Sequence, residues 1–225
     1  MERISVKELV SLVRTAIDEN RTENEYLVTE TDNMELDEII RSNIIHSVRF
    51  ILESCPVSML LPIALDVKDI SQTMNDDGSG CVLIPDDFLR LVSFKLSSWN
   101  RAVVNVADEG SGIELMQRNA YTRGTPIKPV CVYSYDDKGN RIIEYFTAGK
   151  DVDSMYNHDV QHFLYVMIPS IEEDEERNDT VILPHLLKFA VIYYCAGLTE
   201  TNRGNVQLAD AFFKMANSSI IQTNQ

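Results

Sequence analysis

The chain has little of what carries recognisable chemistry. Its four cysteines, Cys55, Cys81, Cys131 and Cys195, form no CxxC pair and match no zinc-ligand spacing. Cys81, Cys131 and Cys195 have mainly apolar neighbours, which reads as buried free thiols in a reducing compartment. The nine glycines make neither GxGxxG nor GxxxxGK, which leaves no phosphate-cradling loop, and there is no GxSxG nucleophile elbow. Cations are scarce: 20 Lys and Arg face 35 Asp and Glu, a net charge of −15. That balance, with no Lys/Arg cluster, argues against a protein that grips nucleic acid through its phosphates. It favours solubility and repels other polyanions. The longest apolar run, Leu186–Leu198, carries Lys188 and is too short to span a bilayer. The opening MERISVKELV lacks the apolar stretch of a signal peptide, so synthesis and folding in a cytoplasm are expected.

What is present is an ordinary globular composition, 44% apolar and 24% charged over 225 residues. A chain of this length buries roughly 70% of its unfolded surface and needs no staples. Its most specific stretch is Cys81–Trp99. Cys81–Ile84 reads as a strand stopped by Pro85, which has no amide hydrogen for a ladder. Asp86 and Asp87 read as turn formers or as a helix N-cap. Phe88 and Leu89 return to the core. From Leu91 the sequence alternates, with Val92, Phe94 and Leu96 on one side and Ser93, Lys95 and Ser97 on the other, as in a half-buried antiparallel strand.

Around it lie helical patterns. Residues 5–18 open with Ser5 and Glu8 in capping-box spacing and carry an apolar stripe from Leu9 to Ile17. A second helix is expected from about Met34, capped by Asp32 or Asn33, to Ser54, where Pro56 stops it. Residues 19–33 read as a polar connection, and 57–70 are ambiguous. Leu183–Leu198, with Gly197 near its end, and Asn205–Ser219 predict an antiparallel helix pair joined by Thr199–Gly204. Between the helices the period changes to two. Pro129–Ser134 and Arg141–Thr147, joined by Asp136–Asn140, predict a hairpin, and His162–Ile168 another strand. Ala102–Ala107 is strand-like, 108–128 irregular with a helical turn near Leu115–Asn119, and the acidic run Glu172–Glu176 a solvated loop or helix start. The expectation is an α+β fold in one domain, 1–225. Helices at about 5–54 and 183–220 form a bundle, and a large antiparallel β-rich insertion spans about 81–168.

No catalytic constellation emerges. His158 and His162 in HDVQH have the spacing of two ligands on one helical face, but no third ligand lies nearby, so no stoichiometric metal is expected. The stretch Asp76-Asp77-Gly78-Ser79-Gly80 is similar to a calcium loop but lacks its alternating carboxylates and reads as a turn. Tyr121-Thr122-Arg123-Gly124-Thr125-Pro126 is either a structural loop or a contact loop, since Tyr and Arg dominate protein interfaces. Tyr121, Arg123, Thr125 and Pro126 are the candidate interface residues, and no catalytic, cofactor or metal residue is assigned. The acidic run is either loop solvation or a charged face turned to a polyanion that must pass without sticking.

The order of these features resembles the head–tail connector (adaptor) proteins of tailed bacteriophages, of podovirus or crAss-like type. The residues that carry the likeness are Ile84-Pro85-Asp86-Asp87-Phe88-Leu89-Arg90-Leu91, then Trp99, then Arg118-Asn119-Ala120-Tyr121-Thr122-Arg123-Gly124-Thr125-Pro126, Lys128-Pro129-Val130, and the closing helix with Tyr193-Tyr194-Cys195-Ala196. The likeness spans most of the chain. It implies a non-enzymatic virion protein without cofactors, in a neck ring of about twelve copies beneath a portal protein and above further ring or tail proteins. It also implies a conduit through which genomic DNA passes without specific binding, and no membrane contact. Two other readings stay open: a tail hub or tail-completion protein of the same particle, and a non-viral enzyme or regulatory protein using HDVQH.

Overall fold

The computed structural model describes residues 2–19, 30–75, 78–119, 121–146 and 159–221. In chain order its elements are β1 (Glu2–Ser5), α1 (Val6–Glu19), α2 (Glu30–Ser54), β2 (Ile63–Ala64), β3 (Gln72–Met74), β4 (Ser79–Leu83), β5 (Phe88–Leu96) and α3 (Gly112–Gln117). They continue with β6 (Val130–Tyr135), β7 (Arg141–Phe146), β8 (Val160–Met167), β9 (Ile171–Glu173), β10 (Asp179–Leu183), α4 (Lys188–Asn202) and α5 (Val206–Ile221). The fold is a mixture of helices and antiparallel sheets, of the α+β class. The chain divides into two compact units, Met1–Leu61 with Ile168–Gln225, and Pro62–Met167. Among the described residues no helix is long and apolar enough to cross a membrane.

The first unit holds α1, α2, α4 and α5 with the sheet β1-β10-β9. Ser5 Oγ accepts the Glu8 amide at 3.1 Å, so the predicted cap starts α1. The Glu8 carboxylate does not complete the box; it takes a bond from Lys188 Nζ on α4 at 2.8 Å. In α2 the side chains of Ile40, Ile44, Val48 and Ile51 are fully buried, as their helical spacing requires. That helix begins at Glu30, so Asp32 and Asn33 lie inside it rather than capping it. α4 packs on α1, α2 and α5 and is buried on nearly every side, which its Ala190, Ala196 and Gly197 permit.

Further expectations change in this unit. Leu183 closes strand β10 rather than opening a helix, because the residue before a proline is pushed out of the helical region. Gly197 does not end α4, which runs on to Asn202. The glycine gives room to the Phe213 ring of α5. The buried Glu200 carboxylate then closes the α4–α5 turn, accepting from Arg203 Nη1 at 3.1 Å and Asn205 Nδ2 at 2.5 Å. The acidic run is strand at its start and loop after it: Glu172 and Glu173 belong to β9, paired with Thr180 and Asp179, and Asp174, Glu175 and Glu176 lie in the turn that follows, as the loop reading expected. The turn to β10 repeats that of the β6–β7 hairpin. Asp136 accepts the amides of Lys138 and Asn140, and Asp174 those of Glu176 and Asn178. Where the first turn places Gly139 at φ 83°, the second places Arg177 at φ 63°.

The second unit holds two sheets, β3-β4-β7-β6 and β2-β8-β5. The predicted hairpin forms β6–β7, and β7 also pairs with β4. The expected strand, turn and strand of Cys81–Trp99 are present, but β4 and β5 lie in different sheets. The turn at Pro85–Asp87 carries the chain from one to the other, and Tyr165 Oη on β8 holds it by donating to Asp87 Oδ1 at 3.0 Å. Bulges in β5 put both Leu91 and Val92 in the core, interrupting the alternation. Between the sheets lies an aromatic cluster in which Phe94 meets Trp99 (5.4 Å between centroids), Phe163 (5.7 Å) and Tyr145 (6.3 Å). Ala102–Ala107 is not a strand: only Val103 and Ala107 make isolated bridges, to Phe94 and Val132.

Candidate functional site

The surface that stands out for function is the segment from α3 to Lys128. Ser111 Oγ caps α3 by accepting the Glu114 amide at 3.3 Å. The Glu114 carboxylate receives the Gly110 amide at 2.8 Å and Arg118 Nη2 at 2.5 Å. Those two donors hold its pKa below the usual carboxylate range, the amide contributing most. Buried Gln117 ties the following loop to the helix: its Oε1 accepts the Gly124 amide at 2.7 Å and its Nε2 donates to Ile113 O at 2.9 Å. Arg123 Nε donates to Gln117 O at 3.1 Å, and its guanidinium lies 5.8 Å from the centre of the Phe146 ring. Thr125 and Lys128 exchange backbone bonds, and Pro126 O accepts the Asn100 amide at 2.9 Å. The loop is therefore fastened at several points.

The four residues singled out in sequence divide into two roles. Tyr121 is 97% exposed. Arg123, Thr125 and Pro126 build the loop that presents it. Sequence reasoning missed the exposed apolar side chains that flank it in the chain: Ile113, Leu115 (64% exposed), Met116 and Ile127 (66% exposed). Nothing in their local pattern announces exposure, since an apolar helical turn is ordinarily a core element; the clue was the adjacency to Tyr121. Beside the loop a cleft of about 240 Å³ is lined by Arg118, Arg123, Glu144, Cys81 and Phe146 among others. Burial pushes the Glu144 carboxyl up, and Arg118 partly opposes it.

Elsewhere the side chains suit structure better than chemistry. Ser93 Oγ and His162 Nε2 share a hydrogen bond at 2.8 Å, the spacing of a nucleophile and its base, which the sequence did not reveal. Desolvation and neighbouring Lys95 lower the imidazole pKa. Among the described residues no carboxylate is seen orienting the ring, and the pair is a cross-strand contact between β5 and β8. His162 stands on a strand, not a helix, and His158 lies outside the described residues. Among the described residues no three His, Cys, Asp or Glu side chains gather to hold a metal. Cys55, Cys131 and Cys195 are buried free thiols. Burial raises Cys131 well above its ordinary value and pushes Cys195 up to about 12, so neither supplies a thiolate at neutral pH. Asp76 and Asp77 lie outside the described residues; on either side of them Asn75 Nδ2 donates to Ser79 Oγ at 3.0 Å. No family model matches the chain, and no curated protein matches it.

Proposed function

We propose that this chain is a structural ring component of a phage neck. It joins head to tail beneath a portal protein and forms part of the conduit for the genome. The observation that carries the reading is a coincidence of place. The Arg118–Pro126 stretch, which bears much of the likeness to connectors, presents the exposed Tyr121 on a fastened loop, with exposed Leu115, Met116 and Ile127 flanking the stretch in the chain. Such a surface suits a protein contact better than a catalytic pocket. In this reading the four long helices form a bundle lining the ring, and the β-rich segment is an insertion that reaches neighbouring subunits. The chain has no enzymatic activity or cofactor of its own and is found in the virion neck.

Charge supports the same reading. A net charge of −15 per copy, repeated around an axis, gives a wall that repels phosphates. At physiological salt the Debye length is roughly 8 Å, so the repulsion acts near the wall and DNA finds no sticky register. Native mass spectrometry at increasing protein concentration tests the proposal, together with a gel shift on duplex DNA. The expected result is a closed oligomer near twelve copies and no shift at physiological salt. A stable two-fold dimer, or tight salt-sensitive DNA binding, refutes it.

A further inference from the structure

We infer that a cleft in the first unit binds a free acidic amino acid, a small molecule with two carboxylates and one ammonium. The site is separate from the α3 segment and does not depend on the ring reading. The cleft has a volume of about 530 Å³, within the range of roughly 300–1,000 Å³ that ligand sites occupy. Three pieces of the first unit wall it: the start of α1, the face of α2 around Glu38 and Arg41, and the turn that leads into β10.

The charges on the wall divide into two sets. Asp37 accepts from Arg14 Nη1 at 3.2 Å, and Asp179 is paired with Arg41. These acids are neutralised within the chain. Lys7, Glu38 and Arg177 remain, and among the described residues none of the three has a hydrogen bond or an ion pair from its side chain. Of the acids beside them in the chain, Glu8 is taken by Lys188 and Asp174 by the turn amides. Glu175 and Glu176 are exposed and do not line the cleft, so solvent and salt screen them. Two cations and one acid are left, and their complement is two carboxylates and one ammonium. Arg177 offers a planar fork that matches one carboxylate, Lys7 a point charge for the other, and Glu38 an acceptor for the ammonium. Val6 and Val10 on the same wall suit the aliphatic carbons between the charges.

Arg177 also bears a mark in its backbone. Its φ of 63° is left-handed, at the place where the matching β6–β7 turn has Gly139. Such a conformation costs a side-chain-bearing residue free energy, and residues held in it gather at ligand sites. Among the described residues the Arg177 side chain bonds nothing that would offset that cost within the fold. A bound carboxylate offsets it instead.

Isothermal titration calorimetry of the full chain tests the site, with L-glutamate and L-aspartate as probes and glutarate and L-lysine as comparisons. The wild type is expected to bind the better of the two acidic amino acids with a Kd of about 1 mM or tighter. Glutarate lacks the ammonium and is expected to bind about tenfold more weakly, and L-lysine, with its excess of positive charge, more weakly still. Arg177→Gly is expected to weaken the amino acid about tenfold or more without lowering the melting temperature of the unliganded chain, so that lost binding is not lost folding. Glu38→Gln is expected to abolish the preference over glutarate. If Arg177→Gly does not fold, Lys7→Gln carries the same expectation for binding. A folded wild type that binds neither acidic amino acid at about 10 mM overturns the inference. So does glutarate or L-lysine binding as tightly as the amino acid, or a folded Arg177→Gly or Lys7→Gln chain that binds like the wild type.

Discussion

Gly124 is where the candidate surface is most sensitive to one methyl group. A Cβ built there lies 2.5 Å from Phe146 O and 3.0 Å from Val130 N, both backbone atoms of strands β7 and β6. An ordinary carbon–oxygen contact is roughly 3.3–3.6 Å, so Gly124→Ala must lift the loop by about 0.8 Å or more. Overpacking of this kind costs roughly 1–3 kcal/mol. The lift also strains the bond from the Gly124 amide to Gln117 Oε1, and a buried donor left unpaired costs about 1–3 kcal/mol. The expected loss is about 2–4 kcal/mol, since neither cost is met in full. Gly112 is the control: no atom lies within 4 Å of its Cβ position, so Gly112→Ala at the start of α3 is neutral or stabilising by up to about 1 kcal/mol. The single tryptophan, Trp99, is buried edge-on against Phe94 in this unit, so its fluorescence follows the unfolding directly. For a cooperative unit of this size a loss of 2 kcal/mol lowers the midpoint by about 10 °C. Equal midpoints for the two alanine variants would refute the reasoning.

Three further outcomes follow from the packing and the charges. Gly197→Ala, which adds about 1 kcal/mol of helix propensity at an open site, is expected instead to cost about 1–3 kcal/mol in a urea titration. Its methyl would sit 2.5 Å from Phe213 Cε1, whose ring is pinned by Tyr194 at 5.2 Å, and Phe213→Leu in the same chain should recover part of the loss. Arg177→Gly is expected to stabilise the fold by up to about 1 kcal/mol, read as a raised melting temperature, because it relieves a left-handed backbone that the β6–β7 turn gives to glycine. Burial, with help from the Asp87 carboxylate, pushes the Tyr165 phenol up to about 12 from 10.0. Its contribution is therefore complete below pH 10 and is lost as the unfolded phenol ionises ahead of the folded one, between about 10 and 12. Stability should fall over that window, and Tyr165→Phe should flatten the fall. Half-buried Tyr133 and Tyr194, buried Tyr145 and the buried thiols Cys131 and Cys195, all raised, contribute to the remainder.

The long elements were legible because their causes are local. The Ser5 cap, the four-residue recurrence of Ile40, Ile44 and Val48, and the Asp136–Asn140 turn each act within a few residues. The sheet of the first unit was not, because β1 is short and charged and finds its partner far along the chain, Glu2 pairing with Leu183, while β9 is a three-residue strand inside an acidic run. Register across such a distance leaves no periodic trace. Cys81–Trp99 shows a third limit. The strands and the turn were readable, but two strands joined by a sharp turn ordinarily pair, and only the pairing of β4 with β7 and of β5 with β8 reveals that this turn changes sheets. At the candidate surface, composition pointed to Tyr121 and Arg123. Whether a side chain of α3 meets the core or the solvent is decided by its neighbours in space, so Leu115 and Met116 became visible only in the folded chain.

The proposed ring is open to direct observation. Electron cryomicroscopy of the concentrated protein, alone or on a portal, is expected to show a closed ring of about twelve copies with a negatively charged lumen. A lumen lined mainly by Lys and Arg, or a compact assembly with two-fold axes and no channel, would contradict the account.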